Sequence, residues 1–145
     1  MSEPTPVTPY QDVILSHAKA PKRYGAVSGV PMRQGTNPLC GDEVSFFLTQ
    51  TEPVDATFES RGCALCRASA SILAEATCGR AHAVADRFIQ DFLANFANLP
   101  VNPKASSELQ ALLDMRRYAT RTRCVLLPWE TLGALLADVK TFVEV

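Results

Sequence analysis

Two short runs in the first half of the chain carry apolar residues at every second position. These positions are Val44, Phe46, Leu48, Ala56 and Phe58. The residues TEPVD, which favour a turn, separate the two runs. Because side chains alternate between the two faces of a strand, the pattern predicts an antiparallel hairpin over about residues 43 to 60, with one buried face.

The stretch before this hairpin, residues 21–42, is rich in Gly and Pro and has little periodicity. A composition of this kind is typical of a loop, within which a short strand fits near residues 25 to 33. These residues are therefore predicted to be mostly loop.

A helix is predicted ahead of the loop. Thr8 can cap it, Pro9 suits its first position, and Pro21 stops it, so the helix spans about residues 10 to 19. The residues before it, MSEPTPVTP at positions 1–9, contain three prolines and an acid and are predicted to form a flexible tail.

After Gly62 the apolar residues recur at helical spacing in four successive segments. The first segment ends at Gly79, the third follows two serines that can cap it, and the last begins near Val125 or Pro128. The apolar positions are Leu65, Ala68, Ile72, Leu73 and Ala76; Val84, Phe88, Phe92 and Phe96; Leu109, Leu112 and Leu113; and Leu132, Leu135, Leu136 and Val139.

Strands first and helices afterwards predict an α+β fold. We expect a small antiparallel sheet of about three strands with helices packed on one face. The length of 145 residues is usual for one domain, and residues 10–145 are assigned to a single one. With 47% apolar and 20% charged residues, the chain can bury a core without disulfides.

Charge and hydropathy exclude two classes of partner. The 14 Lys and Arg against 15 Asp and Glu give a net charge of −1, which lacks the cationic surplus that nucleic-acid binding requires. The longest uncharged stretch, Phe92 to Pro103, is far shorter than the ~20 apolar residues of a membrane span. The first residues lack the basic and apolar regions of a secretory signal, so we expect a cytoplasmic protein.

One basic cluster stands out despite the balanced charge. It consists of Arg116, Arg117, Arg121 and Arg123, and no acid lies between Asp114 and Glu130. The cluster is either a solvated face or a patch that docks a partner or stabilises a thiolate. Arg121 and Arg123 are the candidates for partner binding.

The five cysteines are an odd number, which in a reducing compartment favours thiol or metal chemistry over a disulfide framework. Cys40 lies between two residues that favour turns, Pro38 and Gly41. Asp42 can bring a carboxylate oxygen to the same point, and a thiolate beside a carboxylate suits a cation. The alternative is that Cys40 is a half-buried free thiol.

Cys63 and Cys124 each lie where a loop meets a predicted helix. The positive end of a helix dipole lowers the pKa of a thiol and favours the thiolate. If these junctions converge with that of Cys40 and Asp42, the four side chains supply three sulfurs and one oxygen, enough for tetrahedral zinc or part of an iron–sulfur cluster. A carboxylate is a harder ligand than a thiolate and so binds a soft metal less well. Its presence suggests a metal centre from which one ligand can be displaced.

A rival grouping has nearly the spacing of a zinc finger: Cys63, Cys66, Cys78 and His82. Helical residues fill the interval between Cys66 and Cys78, which places the two about 18 Å apart by helix rise, too far to share one metal. Cys66 and Cys78 are therefore expected to pack on a helix. A redox pair of Cys63 and Cys66 lacks the strand–helix–strand setting of a thioredoxin motif, and His17 and His82 are interpreted as surface or packing residues.

Several segments together resemble a known family. They are YQDVILSH followed by Pro21 and Gly25, then NPLCGD, GCALCRASAS and RTRCVLLPW, in this order between Tyr10 and Val139. They resemble the U-type iron–sulfur cluster assembly proteins, the family of IscU, SufU and the amino-terminal part of NifU. The resemblance implies that Cys40, Asp42, Cys63 and Cys124 are metal ligands and that the fold is a small antiparallel sheet packed with helices.

The resemblance is greatest to the SufU branch. Scaffold members carry a His directly before the late Cys, where this chain has Arg123, and the interval from Cys63 to Cys124 fits the insertion of SufU. The resemblance implies a zinc ion on the three cysteines and Asp42. It also implies a role as sulfur acceptor for a SufS-like cysteine desulfurase, not as a stand-alone enzyme. Cys66 and Cys78 depart from the family pattern.

Three hypotheses of function remain open at the level of sequence. Our first hypothesis has Cys124, near the arginines, as the thiol that accepts the persulfide sulfur. The second is a scaffold that holds a transient [2Fe-2S] cluster and passes it to downstream acceptor proteins. The third is a non-catalytic zinc module, which would depend on Cys78 and His82 and not on Cys40.

Overall fold

A computed structural model describes the backbone of residues 9–39, 41–98 and 107–143, and the side chains of residues 11–39, 41–98 and 107–139. The helices are α1 (Pro9–Lys19), α2 (Ala64–Thr77), α3 (His82–Asn95), α4 (Ser107–Asp114) and α5 (Thr122–Val143), and the strands are β1 (Met32–Asn37), β2 (Asp42–Gln50) and β3 (Asp55–Arg61). Two short 3-10 turns, Met115–Arg117 and Ala119–Arg121, lead from α4 into α5.

The three strands form one antiparallel sheet in the order β1-β2-β3. The predicted hairpin is confirmed as β2 and β3, with Phe46 opposite Phe58 and both side chains fully buried. The remaining strand was predicted near residues 25 to 33, and that placement is wrong, because β1 begins only at Met32. Gly29 has a φ of +78°, a left-handed conformation that interrupts an extended chain.

Helices cover one face of the sheet, as the sequence predicts. The helix α2 packs on β3, and α5 packs on β1 and β2. The buried core between the layers contains Trp129, whose ring stacks on Phe92 with a centroid separation of 3.6 Å. The sheet's other face carries polar side chains such as Gln34, Ser45 and Glu59, so the fold is an α+β domain with one shared core.

The helix after Gly79 has a different buried stripe from the one expected. The pattern of four-residue repeats assigned Val84 to the core together with Phe96, but Val84 is 48% exposed. Phe92 and Phe96 are buried as predicted, and the other buried positions are His82, Ala85 and Ile89. At 3.6 residues per turn, three steps of four residues rotate by about 120°, so Val84 cannot share a face with Phe96.

The last helix begins earlier than predicted. It starts at Thr122, before the expected positions Val125 or Pro128, and Pro128 lies inside it. A proline inside a helix removes one backbone hydrogen bond, which weakens the turn before it. Here the hydroxyl of Ser69 on α2 donates to the carbonyl of Val125 over 2.7 Å, so a neighbouring helix holds that turn.

The chain ends agree with the sequence only in part. The helix α1 confirms the predicted segment and begins at Pro9, the residue predicted for its first position, although Pro9 was also counted with the tail. Residues 1–8 of the predicted tail lie outside the described residues, as do residues 99–106 between α3 and α4. Within the described parts of the chain, none of the helices is both long and apolar enough to cross a membrane.

Candidate metal centre

Three of the four predicted ligands lie together at one end of the sheet. Asp42 is the first residue of β2, Cys63 immediately precedes α2, and Cys124 lies in the first turn of α5. One carboxylate oxygen and the two sulfurs all lie within 4.8 Å of one another. Cys40, the fourth predicted ligand, lies outside the described residues. Two sulfurs and a carboxylate oxygen at this spacing suit a tetrahedral zinc ion.

The backbone around Cys63 fixes the distance between Asp42 and the start of α2. The N–H of Cys63 donates to Oδ1 of Asp42 over 2.8 Å. Gly62, just before it, has a φ of +108°, and a Cβ at that position would overlap Oδ1 of Asp42. Glycine is required at position 62 both for this backbone conformation and for the close approach of the carboxylate.

The three candidate ligands differ in their access to solvent. Asp42 is 1% exposed and Cys124 is 2% exposed, whereas Cys63 is half-buried. Burial raises the pKa of the Cys124 thiol above its usual range, and its contacts with Asp42 and Cys63 raise it further. The expectation of a lowered pKa for Cys124 at its helix start is therefore wrong for the protein alone, because burial and the contacts with Asp42 and Cys63 both raise the pKa. A bound cation would favour the thiolate form of Cys124 and so lower this pKa.

The four arginines of the basic cluster have separate partners. Nη1 of Arg121 lies 3.8 Å from the sulfur of Cys63, so its charge faces the centre. Arg123 pairs with Glu130 over 2.8 Å, and Arg117 pairs with Asp114. Arg116 donates to the carbonyls of Leu113 and Phe96. The two acids that bound the cluster in the sequence are thus the partners of two of its arginines.

An open groove of about 630 Å³ includes Ala64, the residue after Cys63, in its lining. Its walls come from α1, the start of α2 and the 3-10 turns, and Arg121 contributes to them. The lining residues are Gln11, Ile14, Leu15, Ala64, Leu65, Met115, Tyr118, Thr120 and Arg121. The groove therefore presents a mostly apolar surface next to the start of α2.

The rival zinc-finger grouping is not formed. Cys66 is fully buried in α2, and Cys78 is exposed at the far end of that helix, 3.7 Å from Oδ1 of Asp55. Nε2 of His82 contacts the carbonyl of Leu136 at 2.9 Å. In the part of the chain that the structure describes, Asp42, Cys63 and Cys124 are the one group with metal-binding spacing.

His17 is likewise a packing residue and not a ligand. Its Nδ1 lies 2.7 Å from the hydroxyl of Ser71 on α2, and both residues are buried. Burial lowers the pKa of His17 below its ordinary value. Of the two alternatives left open by the sequence, surface or packing, both histidines are therefore packing residues.

Sequence reasoning overlooked two parts of the site. The role of Gly62 depends on the approach of Asp42 from another strand, and its only local signal is a glycine directly before a cysteine. Ser69 was assigned to an apolar helix, but it bonds to α5 one residue from Cys124. Trp129 is fully buried and also donates to Ser69 over 3.1 Å.

The NifU-like N terminal domain family matches residues 9–123, which include Asp42, Cys63 and Arg121. The chain belongs to this family. The match covers most of the chain and confirms the resemblance to U-type iron–sulfur cluster assembly proteins.

Two curated relatives of this NifU-like chain represent different branches. The "Iron-sulfur cluster assembly scaffold protein IscU" of Streptococcus pyogenes serotype M1 is 29% identical over 127 residues, covering 85% of this chain and 79% of that protein. The "Zinc-dependent sulfurtransferase SufU" of Bacillus subtilis (strain 168) is 27% identical over 128 residues, covering 86% of this chain and 87% of that protein.

A solved structure has the same fold. The putative iron–sulfur cluster assembly scaffold protein of the SUF system from Fervidobacterium islandicum AW-1 superposes with a TM-score of 0.76 at 25% sequence identity. The superposition covers 86% of this chain and 94% of that one. The small three-stranded antiparallel sheet packed with helices is therefore an architecture that this NifU-like chain shares with a SufU-type protein.

Proposed function

We propose that this NifU-like chain is a zinc-containing, SufU-like protein that accepts persulfide sulfur from a cysteine desulfurase. The observation that carries the proposal is the approach of Asp42, Cys63 and Cys124 to within 4.8 Å of one another. The relative from Bacillus subtilis, named a zinc-dependent sulfurtransferase, supports it. Free thiols persist in a reducing compartment, so we further propose the cytoplasm as the place of action.

Zinc would be held by Asp42, Cys63 and Cys124, with Cys40 as the fourth ligand. When bound, the ion supplies the positive charge that keeps these thiols ionised. The carboxylate is a harder ligand than a thiolate and is more easily exchanged on a soft metal. Asp42 therefore makes the site one that a partner can open.

The proposed chemistry is a thiol–persulfide exchange. The Cys124 thiolate attacks the outer sulfur of the desulfurase's cysteine persulfide, and a new sulfur–sulfur bond forms on Cys124. The old sulfur–sulfur bond breaks, and the desulfurase cysteine leaves as a thiolate. One sulfur atom moves with no net oxidation or reduction, so the step needs no further reagent.

The geometry restricts how the desulfurase approaches. Cys124 is 2% exposed, so the first turn of α5 has to move before its sulfur meets the persulfide. Cys63 is more accessible, and the next residue, Ala64, lines the groove. We propose that the desulfurase docks over this groove, where Arg121 provides positive charge, and that Arg123, which is paired with Glu130, is a second contact beside it.

The test is to map the transferred sulfur. The zinc-loaded protein is incubated with a SufS-like desulfurase and cysteine, and persulfide-bearing peptides are identified by mass spectrometry. We expect the persulfide on Cys124, and loss of desulfurase stimulation in Cys124→Ala. The control is Cys78→Ala, an exposed thiol at the other end of α2, which should behave as wild type. Full stimulation by Cys124→Ala, or a persulfide on Cys63, would contradict the assignment.

A second candidate function uses the same side chains. Two thiolates and a carboxylate can also hold an iron–sulfur cluster, and the relative from Streptococcus pyogenes is named a cluster assembly scaffold. Anaerobic reconstitution with iron and sulfide separates the two functions. A stable visible absorption band and transfer of the cluster to an acceptor protein favour the scaffold, whereas tightly bound zinc and stimulation of the desulfurase favour sulfur transfer.

A further inference from the structure

A single buried hydroxyl joins α2 to two positions on α5. Oγ of Ser69 donates to the carbonyl of Val125 over 2.7 Å and accepts from the indole N–H of Trp129 over 3.1 Å. All three residues are fully buried. Buried polar groups with both bonds made hold their elements in one arrangement, because breaking either bond leaves an unpaired group away from water.

Pro128 lies between the two points that Ser69 holds. It has no N–H, so it cannot donate to the carbonyl of Cys124 four residues earlier, as another residue would in an α-helix. The turn that contains Cys124 is thus less firmly tied to the rest of α5. Ser69 binds α5 on both sides of this interruption, at Val125 before it and at Trp129 after it.

The same hydroxyl connects the elements that carry two of the ligands. Cys63 caps the start of α2, and Ser69 lies about 9 Å further along that helix. Cys124 is the neighbour of Val125 in the first turn of α5. The distance between the two sulfurs therefore depends on how α5 is held against α2 at this level.

We propose that Ser69 is a positioning residue for the metal centre. It fastens α5 to α2 across Pro128 and holds the sulfur of Cys124 opposite that of Cys63. The inference rests on the metal centre of the proposed function, and it adds a residue that touches neither the metal nor a partner. Removal of a partner outside the ligand set weakens metal binding by roughly 10–100-fold, and we expect about tenfold here.

Cobalt(II) alone is the probe, because its visible spectrum reports ligand geometry in a site built for zinc. In Ser69→Ala we expect a changed cobalt spectrum and about tenfold faster loss of cobalt to a chelator. The matched control is Ser71→Ala, two residues along the same helix and equally buried. The hydroxyl of Ser71 bonds His17 and the N–H of Lys22, so this control loosens α1 and should keep the wild-type spectrum and rate.

A second measurement needs no metal. Amide hydrogen exchange of the metal-free protein should accelerate over residues 122–127 in Ser69→Ala, and it should stay at the wild-type rate there in Ser71→Ala. A rescue variant tests the role of Pro128 directly. Ser69→Ala combined with Pro128→Ala restores an N–H for the carbonyl of Cys124, and we expect it to recover slow cobalt release.

The results of these experiments distinguish a failure of the positioning role of Ser69 from a failure of the metal centre itself. Equal spectra, release rates and exchange in the two serine variants would overturn the inference, since Ser69 would then act only through general stability. If Ser69→Ala does not fold, Trp129→Phe removes one bond and keeps the serine, and wild-type cobalt release in that variant would overturn the inference. A wild-type protein that binds no cobalt would overturn the metal centre itself, and the positioning role with it.

Discussion

The carboxylate of Asp42 accepts a hydrogen bond from the backbone N–H of Cys63 over 2.8 Å, although the two residues are 21 positions apart in the sequence. The bond joins the start of β2 to the start of α2. It occupies Oδ1 and directs the carboxylate toward the two sulfurs. A hydrogen bond from an N–H to a buried carboxylate also compensates part of the cost of burying its charge.

Gly62→Ala is expected to disturb this bond. The substitution forces an L-residue into a φ of +108° and puts a methyl group against Oδ1 of Asp42. We expect the free energy of unfolding of the metal-free protein to fall by about 1–3 kcal/mol, and zinc per chain to fall with it. Gly79→Ala is the control, because Gly79 has a φ of +81° with nothing within 4 Å of the added carbon. It should lose stability and keep its zinc, and equal zinc loss in both variants would refute the interpretation.

Metal content should depend on the ligands and not on the other thiols. We expect about one zinc per chain in the freshly purified protein, as one tetrahedral site requires. Cys63→Ala, Asp42→Ala and Cys40→Ala should each lose most of it, as measured by elemental analysis. Cys78→Ala should retain it, because Cys78 lies at the opposite end of α2. Zinc that survives in Cys63→Ala would exclude the proposed centre.

Arg121 and Arg117 should differ in their effect on the desulfurase. Arg121 lies 3.8 Å from the sulfur of Cys63, whereas Arg117 pairs with Asp114. Arg121→Glu reverses a charge in the lining of the groove, and we expect it to reduce desulfurase stimulation several-fold at low salt, with a smaller difference from the wild type as salt is raised. Arg117→Glu should have little effect on the same assay. Equal losses in the two variants would indicate that only net charge matters.

Stability should depend on His17 below neutral pH. Burial lowers the pKa of His17 below 6.5, although the carboxylates of Glu75 and Glu108 oppose the shift and Lys22 adds to it. The unfolded chain then binds a proton that the folded protein resists, so stability is lost as the pH falls through 6.5. We expect unfolding by urea to show a steeper loss from pH 7.5 to 5.5 in the wild type than in His17→Asn. Parallel curves would exclude His17 as the cause.

The spacing of apolar residues in the sequence correctly predicted those helices and strands whose form depends only on their own backbone. The alternation around Val44 and Phe58 predicted the hairpin, because the two-residue repeat of a strand is set by its own backbone. The start of a helix was misplaced where a proline that favours a helix start lies inside a longer helix. Pro128 was interpreted as a helix start, but α5 begins at Thr122 because Ser69 on another helix supports the turn before the proline.

The sequence by itself determined the family, the α+β class and the position of Cys63 at the start of a helix, since each depends on residue types at short and fixed spacing. Tertiary structure alone decided that Asp42, Cys63 and Cys124 lie within 4.8 Å, that Arg121 faces Cys63 from 58 positions away, and that Ser69 fastens α5. The physical reason is that such contacts depend on how the helices pack against the sheet. That packing is fixed by the shape of the whole core and not by the periodicity of any one segment.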